Sequence, residues 1–204
     1  MTTRSTYDRI AGMYDMMTGP MEFFGGARRR ERVIRQACGR TLEVGIGTGV
    51  NMPDYMTSAD LTGVEISEPM LARAGRRAQS LKRHVNLVRG DVQSLSFPDS
   101  SFDTVVATCV FCSVTDPVRG LAEIRRVIKP DGKVLLLEHV RPRNALLGKL
   151  ADLLSPFTRR IMGPEINRRT EENVTLAGLH IAEVRAEGVW REILARKENP
   201  EQPA

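Results

Sequence analysis

Thr41-Leu42-Glu43-Val44-Gly45-Ile46-Gly47-Thr48-Gly49 is the stretch whose reading decides the fold. A short apolar run carrying one acid, Glu43, leads into three glycines at alternate positions and then a polar segment. That pattern reads as a buried strand, a tight turn and the start of a helix. Glycine belongs where the backbone turns sharply or where a ligand presses against it with no Cβ in the way. A lone G-x-G-x-G also occurs in turns that bind nothing, so its weight comes from its surroundings.

Upstream, residues 1–26 read as helical with aromatic and glycine interruptions: Tyr7, Tyr14 and Phe23-Phe24-Gly25-Gly26. A helix over Ala27–Cys38 stops at Gly39. Downstream, Val50–Met56 is a helix or loop and Leu61–Ile66 a second strand. Ser67 caps the next helix, with Pro69 in its first turn, and that helix runs to about Leu81. Val85–Val88 is a third strand ending in Arg89-Gly90-Asp91, and Phe102–Thr108 is a strongly apolar fourth. Asp116-Pro117 opens a helix to Val127 or Ile128; the turn Lys129-Pro130-Asp131-Gly132 feeds a fifth strand, Val134–Glu138. Ile181–Ala186 and Val189–Ala195 are two more strand candidates, ahead of a polar tail, Glu198–Ala204. Strands alternating with helices argue for a parallel sheet with crossover helices on both faces. At 204 residues the chain suits one such domain, 1–204, and is short for two.

The 41% hydrophobic and 27% charged composition fits a soluble globular protein. No apolar run approaches the roughly 18 residues of a membrane-spanning helix, and Met1–Ser5 precede no signal-peptide core. Three cysteines, an odd number in a core of ordinary size, lead to the expectation of a reducing cytoplasm. Charge is unevenly placed. Residues 140–169 hold seven basic and two acidic side chains, a net of +5 that equals the whole chain's. Such an excess suits an anionic surface, a phosphate-bearing substrate or a solvated helix face.

Several spaced motifs together resemble the class I S-adenosylmethionine (SAM)-dependent methyltransferases over roughly Tyr7 to Val140. Glu43 to Gly49 resembles the family's glycine-rich first motif, and Glu65 falls where the family places the acid that binds the ribose hydroxyls. Gly90-Asp91 resembles the adenine-binding position, Phe102–Val106 the fourth-strand signature, and Leu121–Lys133 the helix-turn before strand five. Asp131 departs from the commoner glycine, in a turn expected to lie away from the cofactor. The resemblance implies a Rossmann-like three-layer α/β sandwich around a mostly parallel seven-stranded sheet with an antiparallel last strand. It implies SAM as cofactor, S-adenosylhomocysteine as product, and binding by Glu43, Gly45, Gly47, Thr48, Gly49, Glu65, Ile66, Met70, Gly90, Asp91, Val92 and Thr108.

The residues agree with this. Gly45, Glu65, Asp91 and Thr108 fall at carboxyl ends of strands, where an open parallel sheet binds ligands. A carboxylate accepts from two ribose hydroxyls, which suits Glu65; Met70 packs either on the adenine or in the core. The dinucleotide fingerprint G-x-G-x-x-G needs its third glycine one residue later than Gly49.

The acceptor is less legible. Methyl transfer from a sulfonium needs alignment and desolvation more than a nucleophile. Cys109 and Cys112 form a lone C-x-x-C with no second pair and no nearby histidine, so they read as pocket or core cysteines and no metal is expected. Tyr7-Asp8-Arg9-Ile10-Ala11-Gly12-Met13-Tyr14-Asp15 is similar to the opening of quinone and phospholipid methyltransferases. That similarity implies a lid over the cofactor in residues 1–26, with Tyr7 or Tyr14 facing the sulfonium; the other reading is a helix packing its tyrosines on the core. His139, after Glu138 at the end of strand five, is expected to face the acceptor as a base, or else to be a hydrogen-bonded structural histidine.

Leu146, Leu150, Leu153, Phe157 and Ile161 recur at helical spacing among Lys149, Arg159 and Arg160, with Pro156 expected to bend or break the helix. This basic amphipathic insert, residues 140–170, is expected near the acceptor site, lying on an anionic membrane surface, capping the sheet or meeting another subunit. The resemblance to phospholipid N-methyltransferases implies the amine of phosphatidylethanolamine and its methylated forms as acceptor, on a cytoplasmic protein held peripherally at the inner membrane surface. Quinone C-methyltransferases and small-molecule thiol methyltransferases are the alternatives; Cys112–Pro117, Glu138-His139-Val140 and Asn167–Thr170 resemble the latter. A nucleic-acid substrate fits poorly, because only 5% of residues are aromatic and the basic residues interleave with leucines. A non-catalytic SAM-binding module would require a blocked acceptor pocket.

Overall fold

In the computed structural model, which describes residues 3–21, 25–142, 144–161, 165 and 167–197, helices and strands alternate along most of the chain. The order is α1 (Thr3–Ile10), α2 (Tyr14–Met21), α3 (Ala27–Ile34), β1 (Arg40–Val44), β2 (Asp60–Glu65), α4 (Glu68–Ser80), β3 (Asn86–Arg89), β4 (Phe102–Thr108) and α5 (Pro117–Val127). Then come β5 (Ile128–His139), α6 (Ala145–Ile161), α7 (Thr170–Leu176), β6 (His180–Glu187) and β7 (Trp190–Arg196).

The seven strands form one sheet in the order β3-β2-β1-β4-β5-β7-β6. β1 pairs in parallel with β2 and β4, and β7 runs antiparallel to both β5 and β6. This is the expected Rossmann-like sheet with its antiparallel last strand. Strand order reverses between β1 and β4, so their carboxyl ends open a crevice there.

Period-two alternation divides the core. In β5, Val134 and Leu136 enter one apolar cluster with Val105 and Leu121, while Leu135 and Leu137 enter the other with Val106 and Ile34. Both faces are buried, which is why these strands read as continuous apolar runs. Local signals hold as well. The Ser67 hydroxyl accepts from the Met70 N–H at the start of α4, and Asp116 accepts from the Arg119 N–H at the start of α5.

Three boundaries differ from the sequence reading. The helix expected over Ala27–Cys38 ends at Ile34. A tight turn, Ala37 N–H to Ile34 C=O at 2.9 Å, closes it, and Gly39 at φ +65° brings the Arg40 N–H to Asp103 Oδ2 at 2.8 Å. Residues 129–132, expected as a turn, lie within β5, whose pairing to β4 shifts register between Ile128 and Lys133; Asp131 is exposed there. Pro156 does not break α6, which continues to Ile161. One proline removes a single backbone bond, and the flanking turns carry the helix past it. Phe23-Phe24, Arg143, the tail 198–204 and the side chains of Phe157, Arg159, Arg160 and Ile161 lie outside the described residues.

Candidate active site

A cavity of about 500 Å³ opens at the switch point. Its floor comes from the loops that leave the sheet: Gly45 and Gly47 after β1, Glu65, Ile66 and Met70 after β2, Gly90, Asp91 and Val92 after β3, and Thr108 with Cys109 and Val110 after β4. Tyr7 and Tyr14 of α1 and α2 also line it, with Ser113 to Thr115.

The glycine loop has its shape because of Gly45 and Gly47, at φ +64° and +57°. A Cβ on Gly45 would lie 2.6 Å from Val110 Cγ2, so the first glycine also allows the β4 loop to close against it. Glu65 ties two loops together. Its Oε2 accepts from the Gly47 N–H at 3.0 Å and its Oε1 from the Ser67 N–H at 2.9 Å. Burial raises its pKa and those amide bonds oppose the rise. Asp91 is braced by Gln93, whose backbone N–H donates to Oδ1 at 2.9 Å.

Two further carboxyls are fully buried. Glu43 accepts from Asn51 Nδ2 at 2.6 Å, and the same amide donates to Thr108 Oγ1 at 2.9 Å. Glu138 accepts from the Val110 and Phe111 N–H groups at 2.8 and 3.0 Å, and so holds the β4 loop, where Cys109 takes φ +55°. Burial pushes both acids up to about 7, against the opposing hydrogen bonds.

The tyrosines come from the N-terminal helices. Their rings meet edge to face with centroids 6.0 Å apart, and the hydroxyls of Tyr7 and Ser113 are 2.6 Å apart. Burial raises the pKa of both tyrosines well above the ordinary value, so both are neutral at physiological pH.

Several expected residues lie elsewhere. His139 does not line the cavity. It pairs in register with Trp190, their rings 6.3 Å apart, and burial lowers its pKa. Strand alternation is the cause: Glu138 points to the β4 loop, so its neighbour points the other way. Glu43 sits behind the glycine loop, outside the lining. Thr48 gives its hydroxyl to Asp15 Oδ1 at 2.6 Å, and Gly49 at φ +78° packs where a Cβ would lie 2.7 Å from Met52 Cε. Met70 is buried and still contributes to the cavity wall. Cys112 is a buried free thiol whose Sγ donates to the Cys109 carbonyl at 3.2 Å. Among the described residues no group of three or more His, Cys, Asp or Glu side chains is placed to hold a metal.

The sequence reading missed Asn51, Ser113 and the anchoring role of Glu138. The parity of β5 was the available signal for the last: a carboxylate at the buried end of an apolar strand needs donors, and the N–H groups of the neighbouring loop supply them.

Residues 42–136 match a family model described as a methyltransferase domain. The phosphatidylethanolamine N-methyltransferase of Cereibacter sphaeroides is 35% identical over 154 residues, covering 74% of this chain and 75% of that protein. A demethylmenaquinone methyltransferase of Thermus thermophilus is 30% identical over 149 residues, covering 70% and 68%. This chain belongs to the SAM-dependent methyltransferases. The solved SAM-dependent methyltransferase of Thermotoga maritima shares the fold at a TM-score of 0.74 and 20% identity, over 96% of this chain and all of that one. Phosphoethanolamine N-methyltransferase 2 of Haemonchus contortus, solved with SAM, aligns at a TM-score of 0.63 and 22% identity, over 78% of this chain and 38% of that one.

The donor set of the methyltransferase fits this cofactor. SAM carries a sulfonium, an ammonium and a ribose diol but no phosphate, and the cavity offers the carboxylates of Glu65 and Asp91 beside bare glycine backbone. Glu65 would accept from the diol with its remaining lone pairs, and Asp91 from the adenine amine. When bound, SAM supplies the methyl group on an already activated leaving group. The protein's own part would be to hold the cofactor at Gly45–Gly47, exclude water with the two tyrosine-bearing helices, and align an acceptor.

Proposed function

We propose that the methyltransferase acts at a membrane surface, transferring methyl groups to the amine of phosphatidylethanolamine and its methylated forms. The observation that carries this reading is the inverted surface of α6. Its small residues Gly148, Ala151 and Ser155 are buried against the protein, while Leu146 and Leu153 are 77% and 76% exposed and Leu150 and Leu154 nearly half exposed. Arg141 ties down the middle of the helix, donating from Nη2 to Asp152 Oδ2 at 2.8 Å, and Gly148 leaves room for that guanidinium. Leucines beside Lys149 at the basic end of the chain suit an anionic lipid interface. No helix among the described residues is long and apolar enough to cross a membrane, and the proposed contact is a peripheral one.

The cavity supports an amine acceptor. Neutral Tyr7 and Tyr14 present aromatic surface that favours a headgroup gaining positive charge with each methylation. The 35% identity to a protein named for that reaction points the same way. The second reading is quinone C-methylation, favoured by the demethylmenaquinone methyltransferase relatives. Vesicles of phosphatidylethanolamine and phosphatidylglycerol, incubated with the protein and methyl-labelled SAM, test the choice. Label is expected in mono- and dimethylated phosphatidylethanolamine. Label only in an added demethylmenaquinol, or only in a small thiol, overturns the proposal.

A further inference from the structure

The N-terminal segment repeats a Tyr-Asp pair seven residues apart, Tyr7-Asp8 and Tyr14-Asp15. In both pairs the tyrosine lines the cavity and the aspartate grips the rim. Asp8 Oδ1 accepts from the Ser67 hydroxyl at 2.7 Å; Ser67 caps α4, and its N–H holds Glu65. Asp15 Oδ1 accepts from the Thr48 hydroxyl at 2.6 Å, and its Oδ2 from Arg77 Nη2 at 2.8 Å. Tyr7 reaches Ser113 on the far side. The two helices are therefore fastened to the loops after β1, β2 and β4. Because β1 lies between β2 and β4 in the sheet, α1, held at Ser67 and Ser113, must pass over the glycine loop.

We propose that Asp8 and Asp15 are positioning residues that clasp the tyrosine-bearing helices over the cofactor and set the rate at which SAM enters and S-adenosylhomocysteine leaves. A molecule resting on Gly47 and Glu65 lies under this bridge, so exchange requires at least one clasp to part. The Asp15 clasp is the more labile. Asp15 and Arg77 are both partly exposed, with side chains 37% and 29% accessible, so salt screens their attraction. The inference rests on cofactor use alone and is independent of the acceptor.

Dissociation of tritiated S-adenosylhomocysteine, chased with unlabelled compound, reads the clasp directly. Asp15→Asn and Arg77→Gln are each expected to speed release roughly tenfold, the scale of one charge-assisted bond. The double variant should release no faster than either single one, since both break the same pair. The KM for SAM should rise with unchanged circular dichroism, Asp15→Glu should recover part of the loss, and 0.5 M salt should speed release from the wild type. Glu68→Gln, which breaks the exposed Arg89 pair elsewhere on α4, is the control and should change nothing. Should Asp15→Asn fail to fold, Arg77→Gln decides alone. Release at the wild-type rate from either folded variant overturns the proposal, as does full additivity in the double variant.

Discussion

The cofactor crevice and helix α6 solve opposite problems. In the crevice, polar groups are inside and tethered: Glu65 holds two backbone amides, Glu138 two more on one oxygen, and Glu43 an asparagine amide, while the second oxygens of Glu43 and Glu138 have no hydrogen-bond partner among the described residues. In α6 Gly148, Ala151 and Ser155 are inside and Leu146, Leu150, Leu153 and Leu154 face out. The first arrangement fixes the loops that line the cavity. The second leaves apolar area that no other described residue covers, of the kind that marks a contact surface. On the proposed reading, a site that recognises one molecule and a face that meets a membrane surface coexist in one domain, and they should fail independently.

The largest separation should come from Gly45→Val. A β-branched residue at φ +64° that also displaces Val110 costs about 3 kcal/mol, or roughly a hundredfold in affinity. Calorimetry with S-adenosylhomocysteine should show that loss while vesicle binding holds. An equal loss of vesicle binding would merge the two regions. Next is pH. Glu138 keeps its proton to about 7 in the native state, whereas the unfolded chain releases it near the ordinary carboxyl value. The stability it contributes is complete at low pH and is lost as pH rises towards 7, by on the order of 2–3 kcal/mol. Urea unfolding at pH 5 and pH 8 should therefore differ less in Glu138→Gln than in the wild type; parallel behaviour would contradict the buried-acid account.

Smaller again is the pair Leu150→Glu with Leu153→Glu. Vesicle co-sedimentation should fall about tenfold, as expected for removing leucine area from a lipid interface, with S-adenosylhomocysteine affinity unchanged. A variant that sediments normally would leave α6 without its assigned role. The smallest effect belongs to His139→Ala. Turnover should stay within about twofold, and stability should drop by about 1 kcal/mol from the lost Trp190 contact. A collapse of turnover would return His139 to the chemistry.

What the sequence made legible was local. Strand ends, the Ser67 and Asp116 caps and the glycine turn depend on neighbours within four residues, and apart from the start of β5 they fall within about two residues of expectation. The unread parts join distant positions. Glu138 grips a loop 27 and 28 residues away, and Asp15 meets Thr48 and Arg77, 33 and 62 residues along. His139 was misplaced because a neighbour's parity, not its own chemistry, decides which face it takes. The leucines of α6 could be read as a stripe, but which side of it faced the protein depended on Arg141 and the small residues opposite.

The central claim is that Glu65 and the bare backbone at Gly47 together hold an adenosyl cofactor. Calorimetric titration of the wild type and Glu65→Ala with S-adenosylhomocysteine tests it most directly. One site per chain in the wild type, weakened at least tenfold in the variant, is the result expected. No heat from the wild type, or equal affinity in the two proteins, would contradict it.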